Sequence, residues 1–341
     1  MARPGARAPE RADEGAGLST LSYREAVTAA LAAELERDPS VVVLGEDVVL
    51  GGVWVTTPGL AERFGDRVID TPISELAFTG AAFGAAVRGL RPVVEIMFGD
   101  FLWLVTDTLV NQASKYWYLS NGQASVPLTI RTAVGAGGRF GACHSQTPTG
   151  ALLGEPGLKL IAPATPADAY ALTRAAIQDD NPVVVFEHKL LYGRKGEVDE
   201  GAPVERIGRA AVRRQGDDVT LVSALAAVEK ALAAADMLAE DGISAEVIDL
   251  RSLRPLDGET IAASTARTGR LVVVEDGPPL GGYAAEVVAV AAEAAPVRVA
   301  RVTMPDLPLP ASMKLEDAVL TSVEDIVRAA GTLVETEAAV G

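Results

Sequence analysis

The chain has 341 residues, 49% of them apolar and 22% charged, and a formal net charge of −16. That length predicts two domains with buried cores, and the acidic balance excludes nucleic acid and an anionic membrane surface as partners. A single cysteine, Cys143, and only two histidines, His144 and His188, exclude a disulfide framework and a Cys- or His-rich metal centre.

The first 18 residues mix Arg, Ala, Pro and Gly with Glu10, Asp13 and Glu14. They lack the apolar stretch of a secretion signal and hold too much acid for a transit peptide. No run approaches the roughly 18–20 apolar residues of a membrane span. The expectation is a disordered tail over 1–19 and a cytoplasmic protein. Residues 22–37 carry apolar groups at helical spacing behind Ser22, and Pro39 closes that helix. VVVLGED at 41–47 reads as a buried strand ending at a glycine and two acids. In wound parallel sheets ligands bind beyond the carboxyl ends of strands, so Glu46 and Asp47 are either site residues or solvated loop acids. GGVWVTTPGL at 51–60 has no lysine and no P-loop spacing.

The stretch DTPISELAFTGAAFGAAVRGLRPVVEIMFGDF at 70–101 holds one prominent carboxylate, Glu75, just after Pro72. The small and apolar run behind it predicts a helix over 77–89, buried on most sides. An acid at a helix start is favoured by the dipole alone, so Glu75 is either an ordinary first-turn residue or a group aimed at a ligand. RPVVEIMF forms a second strand, followed by an apolar helix over about 102–118 with Asp107, Asn111 and Lys115 as one polar stripe, read as a helix edge at an interface. A third strand covers 126–135, a flexible Gly-rich loop 135–150, and LKLIAPAT, a helix through Ile177 and NPVVVFE continue the alternation. This order indicates a wound, parallel α/β sheet. Residues 191–216 read as a linker crossed by one or two edge strands. A second α/β pattern follows, with a helix over 225–240, strands at 244–250 and 270–276, a helix over 283–294 and a last strand at 297–304. The resulting division is 20–190, a linker over 191–216, 217–333 and a tail over 334–341. The second domain offers few reactive groups, Glu275, Asp276 and the SLRPLD segment, and is expected to serve assembly.

Several segments share one pattern: GED at 45–47, GGV at 51–53, RVIDTPISE at 67–75, GLRPVVEIMFGDF at 89–101 and HSQ at 144–146. PGLKL at 156–160, NPVVVFE at 181–187, ISAEVIDLRSLRPLDGETI at 243–261 and TGRLVVVEDGPPLGGYAAE at 268–286 continue it. In order and spacing, from Ser22 to about Ala330, they resemble the beta subunit of the thiamine-diphosphate-dependent 2-oxo acid dehydrogenase decarboxylases, of the pyruvate, branched-chain and acetoin types. The resemblance implies an N-terminal thiamine-pyrimidine-binding parallel-sheet domain and a smaller transketolase C-terminal-like α/β domain. It also implies an alpha2beta2 heterotetramer whose alpha subunit supplies Mg2+ and the diphosphate grip, and a lipoyl-bearing transacylase as acceptor. Consistent with a half-site, the chain has no Gly-Asp-Gly followed by a spaced Asn in a plausible loop.

By that resemblance Glu75 is the carboxylate bonded to the pyrimidine ring nitrogen, promoting loss of the thiazolium proton. Met97 and Phe101 match positions lining the ring face, although Phe101 alone reads equally as a core aromatic. His144 matches the histidine that helps pass the acyl group to the lipoyl dithiolane, a role suited to a pKa near working pH. His188 has no such match and is read as structural. The family also binds K+, and the matching positions are Leu128, Ala176, Ile177, Asp179 and Asn181, in a QDDN turn that reads equally as an ordinary turn. One departure stands out: Glu155 lies near the site of the family's second histidine. Two other readings remain at this stage, an acetoin-cleaving or transketolase-like split enzyme and a non-catalytic scaffold.

Overall fold

The computed structural model describes residues 18–338. Of the two expected tails, residues 1–17 and 339–341 lie outside it. Leu18 and Ser19, however, open a strand, and residues 334–338 continue the helix Val323–Ala338.

The helix Tyr23–Arg37 begins in a capping box. Ser22 accepts from Glu25 N, and Glu25 in turn accepts from Ser22 N at 2.7 Å. Its inward face of Tyr23, Val27, Ala30, Leu31 and Leu35 packs on the helix Pro166–Gln178, which Thr165 caps with Pro166 in its first turn. These helices cover one face of a seven-stranded sheet. Its order is Ser252–Arg254, Lys159–Ile161, Val183–His188, Thr129–Val134, Arg91–Ile96, Val41–Gly45, Val68–Asp70. All pairings are parallel except that of Ser252–Arg254. Long β-branched runs buried on both faces suit a parallel sheet covered by helices.

The second sheet has five strands, ordered Arg298–Thr303, Arg270–Glu275, Val219–Ser223, Ala245–Asp249, Ala211–Arg214, the last antiparallel. Residues 191–216 therefore contribute two edge strands. Ala211–Arg214 closes this sheet, and Lys195–Asp199 pairs antiparallel with Leu18–Ser22. The helix Gly258–Thr268 follows from local signals as well: Asp257 accepts from Thr260 N at 3.2 Å, and Gly269 stands at φ +65° past its end.

Two helices differ from expectation. Glu75–Val87 is not buried on most sides, because Leu76, Ala77, Ala81 and Gly84 are exposed. The stretch after Phe101 is one helical run with a π-helical segment over Thr108–Ala113. The extra residue per turn brings both Asn111 and Gln112 onto the carboxylate of Asp107, at 2.8 and 2.9 Å. Trp103, Leu104, Trp117, Tyr118 and Leu119 of this run are exposed. Buried apolar composition was inferred from residue type alone, and only the covered half of each helix obeys it.

The two parts of the chain are joined. Ser252 pairs with Ile161 at the edge of the first sheet. Asp168 of the first part pairs with Arg251 at 2.8 Å and with Arg213, which also holds Asp249 at 2.8 Å.

Inside the first sheet, one arginine and two glutamates share a buried face. Arg131 meets Glu187 through two parallel bonds of 2.7 and 3.0 Å, and Glu95 at 3.1 Å. The three are almost wholly buried. Burial pushes the Glu95 carboxyl up, with Arg131 opposing the rise and Glu187 adding to it. Burial also disfavours the Arg131 charge, but attraction to Glu187 and Glu95 outweighs that and holds the guanidinium above the usual arginine range. Removing one member strands the others in a low dielectric. Arg131→Met is expected to lower unfolding stability by about 3–5 kcal/mol in urea titration, far beyond the loss from an apolar swap of similar size. A loss below about 1 kcal/mol would contradict the charge balance described here.

Candidate active site

The strands of the first sheet deliver their chemistry at one end. Beyond Gly45 lies Glu46, beyond Ile96 lie Met97, Phe98 and Phe101, beyond Val134 runs the loop 135–150, and His188 ends the strand Val183–His188 with Lys189 just beyond it. Glu75, the first residue of its helix, is buried there. Among the described residues no hydrogen bond reaches its carboxylate. Glu46 lies close enough for the two charges to interact. Its carboxyl is pushed up by burial first, then by Glu75 and Asp47, while the Ser74 N–H donates to it. One Glu46 oxygen, Oε1, is buried without a partner. A buried, unsatisfied acid beside a second acid is a costly arrangement without a ligand, and it suits one that brings a hydrogen-bond donor. These residues fit an aminopyrimidine ring.

A cluster of rings forms a second wall. Phe98 meets the His144 imidazole edge-on at 4.5 Å and Phe101 meets it at 5.4 Å. Trp54 packs on Phe98 at 5.4 Å and on Phe140 at 5.7 Å, and its Nε1 donates to the Met97 carbonyl at 2.8 Å. Phe101, Met97 and His144 are all half-buried. The structure therefore brings Phe101 and His144 together, with Met97 tied to the same cluster through its carbonyl. Lys189 sits within the cluster with its ammonium 5.0 Å from the Phe140 ring and 5.3 Å from that of Phe98. Burial, the largest influence, lowers the lysine to about 8, against the opposing charges of Asp100 and Glu316. Sequence reasoning missed Trp54, Phe140 and Lys189. The strand-end rule that singled out Glu46 applies equally to Lys189.

The QDDN turn is served by protein cations. Arg91 Nη1 takes the carbonyls of Ile177 at 3.1 Å and Asp179 at 3.2 Å, and Lys159 pairs with the Asp179 carboxylate. Leu128 O accepts from Val183 N at 2.9 Å, Ala176 O from Asp179 N at 3.3 Å, and Asn181 donates to Asp179 Oδ1. The carbonyls of Leu128, Ala176, Ile177 and Asp179 thus each carry a protein donor, and each carbonyl oxygen has a second lone pair. Glu155, standing where a second histidine was expected, lies 3.6 Å from Lys115. Among the described residues no helix is long and apolar enough to cross a membrane.

Residues 19–195 match the family model of the transketolase pyrimidine binding domain, and residues 208–326 that of the transketolase C-terminal domain. The chain is 44% identical to the acetoin:2,6-dichlorophenolindophenol oxidoreductase subunit beta of Cupriavidus necator, over 91% of this chain and 96% of that one. It is 44% identical to the mitochondrial pyruvate dehydrogenase E1 component subunit beta-1 of Arabidopsis thaliana, over 92% and 89%. It is 41% identical to the 2-oxoisovalerate dehydrogenase subunit beta of Bacillus subtilis, over 85% and 91%. Among solved structures, an inactive beta4 tetramer of a split-gene transketolase matches with a TM-score of 0.78 at 26% identity, over 92% of this chain and 98% of that one.

His188 gives the site a measurable pH signature. It ends its strand fully enclosed, accepts from Leu190 N at 3.2 Å, and a Cβ on Gly135 (φ +97°) would fall on its ring. Burial lowers it from 6.5 to about 4, with Asp276 opposing and Lys230 and Lys189 assisting. Between those values the unfolded chain binds a proton that the folded chain does not, so stability rises with pH across that window. Relative to a His188→Gln variant, the native chain should lose about 3 kcal/mol of unfolding free energy between pH 6.5 and pH 4. Urea melts that follow the same pH course in both proteins would overturn the assignment.

Proposed function

The chain belongs to the beta subunits of the 2-oxo acid dehydrogenase decarboxylases, built from transketolase pyrimidine-binding and C-terminal domains, and from that premise we propose that it forms one half of an active site. With an alpha subunit, in an alpha2beta2 assembly, it catalyses the thiamine-diphosphate-dependent oxidative decarboxylation of a 2-oxo acid. The acyl group passes to a lipoyl group on a transacylase, whose disulfide is reduced as the acyl carbon is oxidised. The observation that carries this reading is Glu75, a largely buried residue whose carboxylate is left open beside the buried, unpartnered Oε1 of Glu46, at the ligand-binding end of a wound parallel sheet.

Thiamine diphosphate, when bound, supplies a carbon acid able to hold the electron pair released with CO2. By the family resemblance, the alpha subunit would hold its diphosphate and Mg2+. Glu75 would hold a proton at the pyrimidine ring nitrogen. Met97 and Phe101 would wall the ring, since a flat apolar surface suits a flat heterocycle and excludes water. His144 would donate the proton required by the departing sulfur of the dithiolane. The acetoin-type relative matches at the same 44% identity as the pyruvate-type one, which favours acetoin cleavage as a second reading, and turnover of acetoin against a panel of 2-oxo acids separates the two.

Two outcomes follow for the complex reconstituted with its alpha subunit. Glu75→Gln should cut decarboxylation by about 10²–10⁴-fold, and retained turnover would sink the assignment. His144→Ala should lower acylation of lipoyl domains about 100-fold while decarboxylation followed with an artificial electron acceptor stays within about threefold. Equal losses in both assays would refute the division of labour.

A further inference from the structure

The chemistry above leaves Lys189 without a part. It is an enclosed lysine in an aromatic surround, a setting in which a methionine would fill the same space with no desolvation penalty. Its ammonium is oriented by specific contacts: the faces of Phe140 at 5.0 Å, Phe98 at 5.3 Å and Trp54 at 6.0 Å, and a hydrogen bond to the backbone carbonyl of His144. Phe98 thus touches both the ammonium and the imidazole of His144.

The other end of the same loop is held by the second part of the chain. Glu316, fully buried on the short helix Met313–Asp317, accepts from Gly137 N at 2.9 Å and Arg139 N at 3.2 Å, and it pairs with the Arg139 guanidinium. Asp317 takes the second guanidinium nitrogen at 2.7 Å. Arg139 stands at φ +67°, a left-handed conformation that a non-glycine residue keeps only where its surroundings impose it. The loop carrying His144 is therefore fixed at its start by an anion and at its end by a cation.

We propose that Lys189 and Glu316 are positioning residues that clamp the loop 137–144, presenting the His144 imidazole against Phe98 and Phe101 for acyl transfer. The acyl-transfer half of this rests on the role given to His144 above, whereas the clamp itself does not. Neither residue touches the reacting atoms; both act through the backbone of the loop. The clamp also gives the C-terminal domain a direct hold on the active site, beyond assembly.

The test uses the alpha–beta complex with Lys189→Met, Lys189→Arg and Glu316→Gln. Amide hydrogen exchange of peptides covering 137–146 should speed up about tenfold or more in Lys189→Met and in Glu316→Gln, and return toward the wild-type rate in Lys189→Arg, which restores a charged donor. Lipoyl acylation should fall about tenfold in Lys189→Met, with the artificial-acceptor assay within about twofold, and Lys189→Met should add nothing further to His144→Ala. Unchanged exchange in both Lys189→Met and Glu316→Gln overturns the clamp, and so do equal losses in the two assays or additive losses with His144→Ala. If Lys189→Met fails to fold, Glu316→Gln decides alone, because it keeps the side-chain volume while leaving an acceptor for only one of the two loop amides and no charge for Arg139. A wild-type complex that turns over no 2-oxo acid would refute the proposed function, and the exchange rates would still judge the clamp.

Discussion

Much of the molecule depends on one charge balance, the contact of Arg131 with Glu187 and Glu95 inside the first sheet. Neither acid can face water there, and the guanidinium satisfies both only because three neighbouring strands align them on one face. Thr56 adds a bond of 3.1 Å to Glu95, and the Tyr192 hydroxyl adds one of 2.9 Å to Glu187. That arrangement tolerates little displacement: a Cβ on Gly52 would stand 2.7 Å from Glu95 Oε1. From the cluster the order passes outward. The Tyr192 ring stacks on Trp54 at 5.6 Å, and Trp54 fixes the Met97 carbonyl. The aromatic wall of the site is thus placed by ionic contacts two side chains behind it.

The second part of the chain is more than a docking module. An edge strand carries it into the first sheet, Arg213 and Arg251 anchor it on Asp168, and Glu316 reaches the loop that presents His144. Each contact joins opposite charges or backbone partners that would be unsatisfied apart. The two parts therefore behave mechanically as one support for the site.

The periodic and capped elements were legible in the chain. Ser22 with Glu25, the β-branched runs, and Gly269 behind a helical stretch are local signals, and local signals survive folding. The family pattern pointed to Glu75 and His144, and the structure brings His144 onto Phe98 and Phe101. What stayed hidden was set by distant partners. The role of Arg131 depends on residues 36 and 56 positions away, Lys189 gains meaning only beside rings from three other segments, and the QDDN oxygens are taken by Arg91 and Lys159 from elsewhere in the chain. Burial of the two apolar helices could not be inferred from composition, because composition does not say whether the covering surface belongs to the same polypeptide.

Those two helices leave Leu76, Trp103, Leu104, Trp117, Tyr118 and Leu119 facing outward. A surface of that kind, on a single copy, is sticky toward any other apolar surface it meets, including an unfinished copy of itself. In a cell such a chain is an orphan until it is covered, open to chaperones and proteases for as long as it waits. Its abundance would then follow the supply of whatever covers it more closely than its own rate of synthesis. Excess copies would be lost rather than stored.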